Sequence, residues 1–176
     1  MHVTTERIEV QRTLEAEPAA IFSVLCDPQG HVAIDGSGML MDAEGDVVTA
    51  AGDSFVVHMD REALGDMPLG KYDVTVTIKD FVPDRELSWT ILGTVRPQIG
   101  HVYGYRIEPA EAGSLVTSYY DWSDIDPMWR DTGIFPVISE ATLKSTLGIL
   151  ARTVLRGYPR SSPRTAQESG PDTIST

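Results

Sequence analysis

The feature that most constrains the fold of this chain is a strict alternation of apolar and polar residues. In residues 71–82 it places apolar side chains on one face, at Tyr72, Val74, Val76 and Ile78. Period-two alternation is typical of a β-strand that covers a core with one face and meets water with the other. The pattern recurs in later segments that are separated by short turns rich in Gly, Asp or Pro. We therefore predict an antiparallel meander with one wet face.

The segments outside the meander predict three helical regions and the remaining strands. Residues 5–14 alternate as a first strand, and a helix is expected from Pro18, because proline suits a first helical turn, to the break at Pro28. A second short helical turn is expected at 28–34, before further strands. These further strands are predicted near 38–43, at 54–60, and around 87–91, 103–107 and 116–122.

The last predicted element differs in kind from the strands. Within residues 127–156, leucine and valine recur on one helical face, at Leu143, Leu147, Leu150 and Val154. Pro136 should kink this region or split it into a short leading piece and a long trailing helix. Together these elements predict an α+β domain, in which a curved antiparallel sheet of about seven strands wraps round the long C-terminal helix. The domain should span 1–157, and the polar residues 158–176 should form a disordered tail.

Composition excludes several classes of function. Acidic residues outnumber basic ones 26 to 14 in the 176-residue chain, and the net charge of −12 would repel nucleic acids and anionic membranes. Cys26 is the only cysteine, which favours a reducing cytoplasm, and no apolar run is long enough for a signal peptide or a membrane span. Neither a metal nor a cofactor is expected, since the four histidines lack ligand spacing and no phosphate loop or nucleophile elbow is present. A homodimer through an edge strand is possible, although no sequence feature supports it.

If the sheet wraps round the final helix, the space between them need not be filled by side chains. The predicted inner faces are rich in aromatic residues that carry a polar group, and such residues often line ligand cavities. A packed aromatic core is the alternative interpretation of the same pattern. The predicted ligand-binding residues share this inward face: Phe55, Val57, Met59, Tyr72, Val76, Trp89, Tyr105, Ser118 and Tyr120.

Several motifs resemble those of a known superfamily. They are EAEPAAIFSVLCDPQGHVAIDGSG from residue 15, F-x-V-x-M at 55–59, FVPDRELSW at 81–89, YGYRIEP at 103–109, YDWSD at 120–124 and TLGILA at 146–151. In this order they resemble the SRPBCC group of START and Bet v 1-like proteins, and within it the polyketide cyclase/dehydrase and lipid transport type. The resemblance covers residues 6–155 and implies a helix-grip fold with a ligand cavity. It does not imply one reaction, because the group includes carriers as well as aromatase/cyclases.

The chain departs from this group at three inward positions. Val76 stands where relatives tend to carry Asn, Tyr103 where they tend to carry Trp, and Ser118 where Glu or Thr is frequent. These changes predict a more apolar cavity whose polarity comes from phenols and a hydroxyl group.

Three residues are candidates for acid–base catalysis in such a cavity. Asp35 follows the short helices near the expected entrance, although an Asx turn before Gly36 would also explain it. His58 is the second candidate, but it faces water if its neighbours point inward. The Tyr103 hydroxyl could donate a hydrogen bond to a ligand carbonyl and so stabilise an enolate. Core packing is the alternative role for this tyrosine.

These observations leave three hypotheses for function. The first is a cytoplasmic protein that binds a small hydrophobic molecule, polyketide-like or aromatic, and catalyses its cyclisation or dehydration by confinement. The second is a lipid or metabolite carrier, or a sensor, with the same cavity and no turnover. The third is a partner-binding module whose cavity is filled by side chains. Polar groups converging in an apolar cavity would favour the first.

Overall fold

A computed structural model describes residues 5–65 and 68–161 of the chain. The strands are β1 (Arg7–Leu14), β2 (Leu40–Glu44), β3 (Ser54–Asp60), β4 (Lys71–Val82), β5 (Glu86–Leu92), β6 (Val102–Ala110) and β7 (Gly113–Asp121). The helices are α1 (Pro18–Cys26), α2 (Pro28–Ile34), α3 (Pro127–Arg130) and α4 (Glu140–Arg156).

The seven strands form one antiparallel sheet in the order β1-β7-β6-β5-β4-β3-β2. Chain neighbours from β2 to β7 are joined as a meander, and β1 pairs with β7. The register shifts between Ile78 and Asp80 in β4 and between Leu40 and Asp42 in β2, and such irregularities increase the local bend of a sheet. The predicted α+β architecture, a curved sheet round a long C-terminal helix with two short helices after the first strand, is confirmed.

Helix α4 covers part of the concave face with a stripe of leucines. Leu143, Leu147 and Leu150 are all buried, which is the spacing that one face of a helix requires. The helix begins where Ser139 caps it, since the Ser139 hydroxyl accepts a hydrogen bond from the Thr142 amide. The predicted split near Pro136 is confirmed, because α3 ends at Arg130 and α4 begins at Glu140.

A glycine fixes the connection between α2 and β2 against α4. The Gly36 amide donates to the Thr146 hydroxyl at 3.0 Å. A Cβ atom at this position would lie 2.6 Å from that hydroxyl oxygen and 2.9 Å from the Thr146 amide nitrogen. Only glycine allows so close an approach, and the contact holds the neighbouring Asp35 beside the concave face.

The segment after α4 packs against the buried Asp27. The Tyr158 hydroxyl donates to Asp27 Oδ2 at 2.8 Å, and the Ser161 amide donates to the same oxygen at 3.3 Å. Asp27 is buried and also caps α2 through the Gln29 amide. The ordered domain thus extends to residue 161. The remainder of the predicted tail, 162–176, lies outside the described residues.

We predict that a chain ending at Gly157 is less stable than a chain ending at Ser161. The shorter chain loses the donors from Tyr158 and Ser161 and leaves the buried Asp27 carboxylate with fewer partners. Its free energy of unfolding, measured by urea denaturation, should fall by about 1–3 kcal/mol. The chain ending at Ser161 is the control. Equal unfolding midpoints for the two chains would contradict the structural role of this segment.

Candidate functional site

A cavity of about 320 Å³ lies between the concave face of the sheet and α4. Its walls come from α2, the middle strands, the 134–138 segment and α4. Seven of the nine predicted ligand-binding residues line it: Val57, Met59, Tyr72, Val76, Trp89, Tyr105 and Ser118. Two of the three predicted catalytic residues, Asp35 and Tyr103, line it as well. Contact of any of these residues with a ligand stays a prediction.

One wall of the cavity is an aromatic stack across two strands. Trp89 of β5 pairs directly with Tyr103 of β6, and their rings lie 6.2 Å apart with an interplanar angle of 11°. On its other side Trp89 stacks on Tyr105 at 5.9 Å and 24°. Because inward residues on neighbouring strands share one face, the alternation of the sequence produces this stack directly. The wall offers a flat, polarisable surface to a planar guest.

Two predicted ligand-binding residues, Phe55 and Tyr120, are buried but do not line the cavity. The Phe55 ring lies at the start of β3, 5.0 Å from the ring of His31 on α2 and edge-on to it. Tyr120 is fully buried and its hydroxyl hydrogen-bonds Nδ1 of His101 at 2.8 Å. Both residues contact histidines that line the cavity.

The predicted catalytic residue His58 lies on the opposite face of the sheet. Its Nδ1 contacts Asp73 Oδ1 at 2.6 Å and its Nε2 lies 3.4 Å from Glu44 Oε1. The hydrogen bond to Asp73 raises the pKa of this imidazole. His58 faces outward because Phe55, Val57 and Met59 occupy the inward positions of β3. The structure therefore does not bring it together with Asp35 and Tyr103.

Asp35 lies at the cavity, but its carboxylate is engaged by its own loop. Oδ1 accepts hydrogen bonds from the Ser37 amide at 2.9 Å and the Ser37 hydroxyl at 2.6 Å. Oδ2 accepts from the Leu40 amide at 3.0 Å. This arrangement is an Asx turn that leads the chain from α2 into β2. The geometry supports the structural alternative for Asp35.

Two histidines that were not among the predicted site residues line the cavity. His31 of α2 is buried, its Nε2 hydrogen-bonds the Leu25 carbonyl at 2.7 Å, and its ring meets Trp89 edge-on at 4.7 Å. His101, just before β6, is buried beside Tyr103. Burial lowers the pKa of each imidazole to about 4, so both are neutral near pH 7. The sequence indicates the inward position of His101, because it lies two residues before Tyr103 and side chains two residues apart share one face of a strand.

The cavity carries little charge. Among the described lining residues, the ionised groups are Asp35 and Arg61, and Arg61 Nε donates to the Tyr72 hydroxyl at 3.0 Å. Burial raises the pKa of Tyr103 and Tyr105, that of Tyr105 to about 12, so both phenols keep their protons. In the described part of the chain, no cluster of three or more His, Cys, Asp or Glu is placed to hold a metal ion. Within the same residues, no helix is long and apolar enough to span a membrane.

Solved structures share this fold at low sequence identity. An AHSA1-like protein from Aeromonas hydrophila matches with a TM-score of 0.56 and 18% identity over 85% of this chain and 92% of that chain. The Aha1 dimer from Colwellia psychrerythraea matches with a TM-score of 0.58 and 15% identity over 84% and 95%. DynU16, described as a putative protein in the dynemicin biosynthetic locus, matches with a TM-score of 0.60 and 16% identity over 89% of this chain and 49% of that chain.

These comparisons confirm the fold that the resemblance to the START and Bet v 1-like proteins implied: the chain is a helix-grip protein. No family model matches the sequence, and no curated protein shows significant sequence similarity to it. At identities of 15–18% the matches establish the fold alone. Assembly as a homodimer and localisation in the cytoplasm stay predictions.

We predict that the buried neutral histidines make the protein acid-sensitive. In the unfolded chain a histidine titrates near 6.5, whereas His31 and His101 bind protons in the folded state only near pH 4. The unfolded state therefore binds more protons between these values, and stability falls as the pH is lowered from about 6.5 to 4. In His31→Gln the fall, measured by urea unfolding at several pH values, should be shallower by up to about 1.4 kcal/mol per pH unit.

The matched control for this experiment is His58→Gln. The pKa of His58 is raised, so its contribution to stability is present at low pH and lost as the pH rises. Its replacement should leave the acid sensitivity intact or steeper. An unchanged pH profile in His31→Gln would show that His31 does not stay neutral in the folded protein.

We also predict that Asp35 acts in folding. Asp35→Ala removes the acceptor of three hydrogen bonds, so the free energy of unfolding should fall by about 1–3 kcal/mol, measured by urea denaturation. Asp46→Ala, which removes an exposed carboxylate from the β2–β3 connection, is the control and should have a negligible effect. Unchanged stability in Asp35→Ala would return Asp35 to the list of candidate acid–base groups.

Proposed function

We propose that this protein binds one small, mainly hydrophobic and uncharged molecule of aromatic or polyketide-like type in the cavity between the sheet and α4. The observation that carries the proposal is the cavity of about 320 Å³, walled on one side by the stacked rings of Trp89, Tyr103 and Tyr105. Planar rings gain dispersion contacts on such a wall, and the apolar lining favours transfer of an apolar guest from water.

The electrostatics of the cavity support an uncharged guest. The lining histidines are neutral near pH 7, and the Asp35 carboxylate is already hydrogen-bonded within its own loop. Arg61 donates to Tyr72. A charged ligand would lose its hydration in a mainly apolar lining, which is costly.

A test of binding uses the neutral fluorophore N-phenyl-1-naphthylamine, whose emission rises on transfer to an apolar site. The wild-type protein should enhance its emission in a saturable manner. Val76→Phe places a ring into the cavity and should weaken binding at least about tenfold, because the added volume overlaps the guest.

The control variant is Thr75→Phe. Thr75 neighbours Val76 on β4 but points to the outer face, so it adds the same ring to the same strand outside the cavity. Its binding should equal that of the wild type. Loss of binding in both variants, or in neither, would contradict the assignment of the guest to this cavity.

A second candidate function is cyclisation with dehydration of a polyketide-like chain, the alternative being a carrier or sensor without turnover. Catalysis is favoured by the position of the Tyr103 hydroxyl at the cavity and by the neighbouring His101, since donors at a carbonyl oxygen stabilise a developing enolate. The fold neighbour from the dynemicin biosynthetic locus is consistent with a biosynthetic setting. The carrier is favoured by the engagement of Asp35 and by the position of His58 on the outer face.

The two functions are separated with the model substrate 1-phenylhexane-1,3,5-trione. Attack of its C6 carbon on the C1 carbonyl, loss of one water and enolisation give 5-phenylbenzene-1,3-diol. A cyclase should accelerate formation of this diol over the buffer rate, as followed by liquid chromatography, and Tyr103→Phe should remove about 10²-fold or more of that acceleration. Binding of the trione with formation of the diol at the buffer rate alone would establish the carrier for this substrate class.

A further inference from the structure

His101, Tyr103 and Tyr120 form a polar group at one end of the cavity, and this group differs from the rest of the lining. His101 and Tyr103 lie two residues apart and so share the inward face, and their ring centroids are 5.3 Å apart. Tyr120 is the cross-strand partner of Tyr103 on β7, with its ring 4.7 Å from that of Tyr103. The alternation of β6 and its pairing with β7 thus assemble the group.

The contacts of Tyr120 determine which nitrogen of His101 carries the proton. The Tyr120 hydroxyl lies 2.8 Å from Nδ1 of His101. Tyr120 is fully buried, so its hydroxyl proton needs an acceptor, and among the described residues the acceptor within hydrogen-bond distance is Nδ1 of His101. We therefore infer that the phenol donates to Nδ1. The neutral imidazole of His101 then carries its proton on Nε2.

Two polar atoms of this group have no partner in the described part of the protein. No hydrogen bond there involves Nε2 of His101 or the Tyr103 hydroxyl. Every side-chain nitrogen or oxygen that is fully sealed within the described residues does have a hydrogen-bond partner. These two atoms are therefore not sealed, and because both residues line the cavity, they are open to it.

We propose that His101 Nε2–H and the Tyr103 hydroxyl together bind a carbonyl oxygen of the guest, so that the ligand class is an aromatic ketone, quinone or related carbonyl compound. This proposal rests on the proposed binding function and specifies its ligand. A carbonyl oxygen has two lone pairs and accepts from both donors, while the attached ring lies along the wall of Trp89. A guest without an acceptor would leave both donors desolvated and unpaired, which reduces its affinity.

The test compares two ligands of the same shape. 2-Acetylnaphthalene presents a carbonyl oxygen, whereas 2-isopropenylnaphthalene carries a CH₂ group in its place. Isothermal titration calorimetry should show that the wild-type protein binds the ketone at least about tenfold more tightly. In Tyr103→Phe the affinity for the ketone should fall about two- to tenfold, with the affinity for the alkene unchanged or increased.

Tyr158→Phe is the matched control, because it also removes one phenol hydroxyl but at Asp27, outside the cavity lining. It should leave the affinity for both ligands unchanged. A measurement on the wild type alone avoids dependence on the folding of variants. The infrared carbonyl stretch of ¹³C-carbonyl-labelled 2-acetylnaphthalene should have a lower frequency in the bound ligand than in hexane solution. Tyr120→Phe removes the hydroxyl that contacts Nδ1, so the proton of His101 is no longer restricted to Nε2. This variant should reduce the difference in frequency.

The outcomes separate this proposal from the one on which it rests. If both ligands bind with equal affinity and the carbonyl stretch stays at its hexane value, the carbonyl site is refuted while the binding function stands. If neither ligand binds, both proposals are refuted. Tighter binding of the ketone that is lost in Tyr103→Phe, with a lowered stretch in the wild type, supports both.

Discussion

The constraint on which this structure depends is that a single helix must cover the concave face of a seven-stranded sheet. Seven strands spaced about 4.8 Å apart extend over about 29 Å, whereas a helix with its side chains is about 10 Å wide. Helix α4 packs against β1, β7 and the two short helices. The inner faces of β3 to β6 are left without a covering element of comparable size. The cavity lies there, and these strands supply one part of its lining, the rest coming from α2, the loops and α4.

The same constraint explains the chemistry of the interior. Side chains on the uncovered part of the sheet must be apolar or must have hydrogen-bond partners within the protein. A buried polar group without a partner destabilises the fold. The net charge of −12 therefore resides mainly outside the cavity, as with Asp73 and Glu44 around His58. Inside, burial holds His31 and His101 neutral. The way in which the sheet is covered thus supports the proposal of an uncharged guest.

Local patterns in the sequence predicted much of this arrangement. Strict alternation predicted β3 and β4 to within a residue at each end and placed Trp89, Tyr103 and Tyr105 on one face. The alternation of apolar and polar residues predicts which face of a strand a side chain occupies. It does not predict which part of that face lines the cavity. Phe55 has the same parity as Val57, and Tyr120 has the parity of Ser118, yet neither lines the cavity. Phe55 packs against His31, and Tyr120 hydrogen-bonds His101. The contact of Tyr158 with Asp27 joins residues 131 positions apart, which no local pattern reports.

The residues at the cavity also define what chemistry remains open to it. Asp35 is held by three hydrogen bonds, and His58 lies on the other face of the sheet. With the inferred tautomer, His101 accepts from Tyr120 at Nδ1 and directs an N–H donor, not an acceptor, toward the cavity. Among the described lining residues, donors thus outnumber strong bases. A ring closure in this cavity would depend on polarisation of a carbonyl group and on confinement of the chain, with the attacking carbon next to a ketone losing its proton to water or to a weak base. A binding protein would use the same donors to orient its guest.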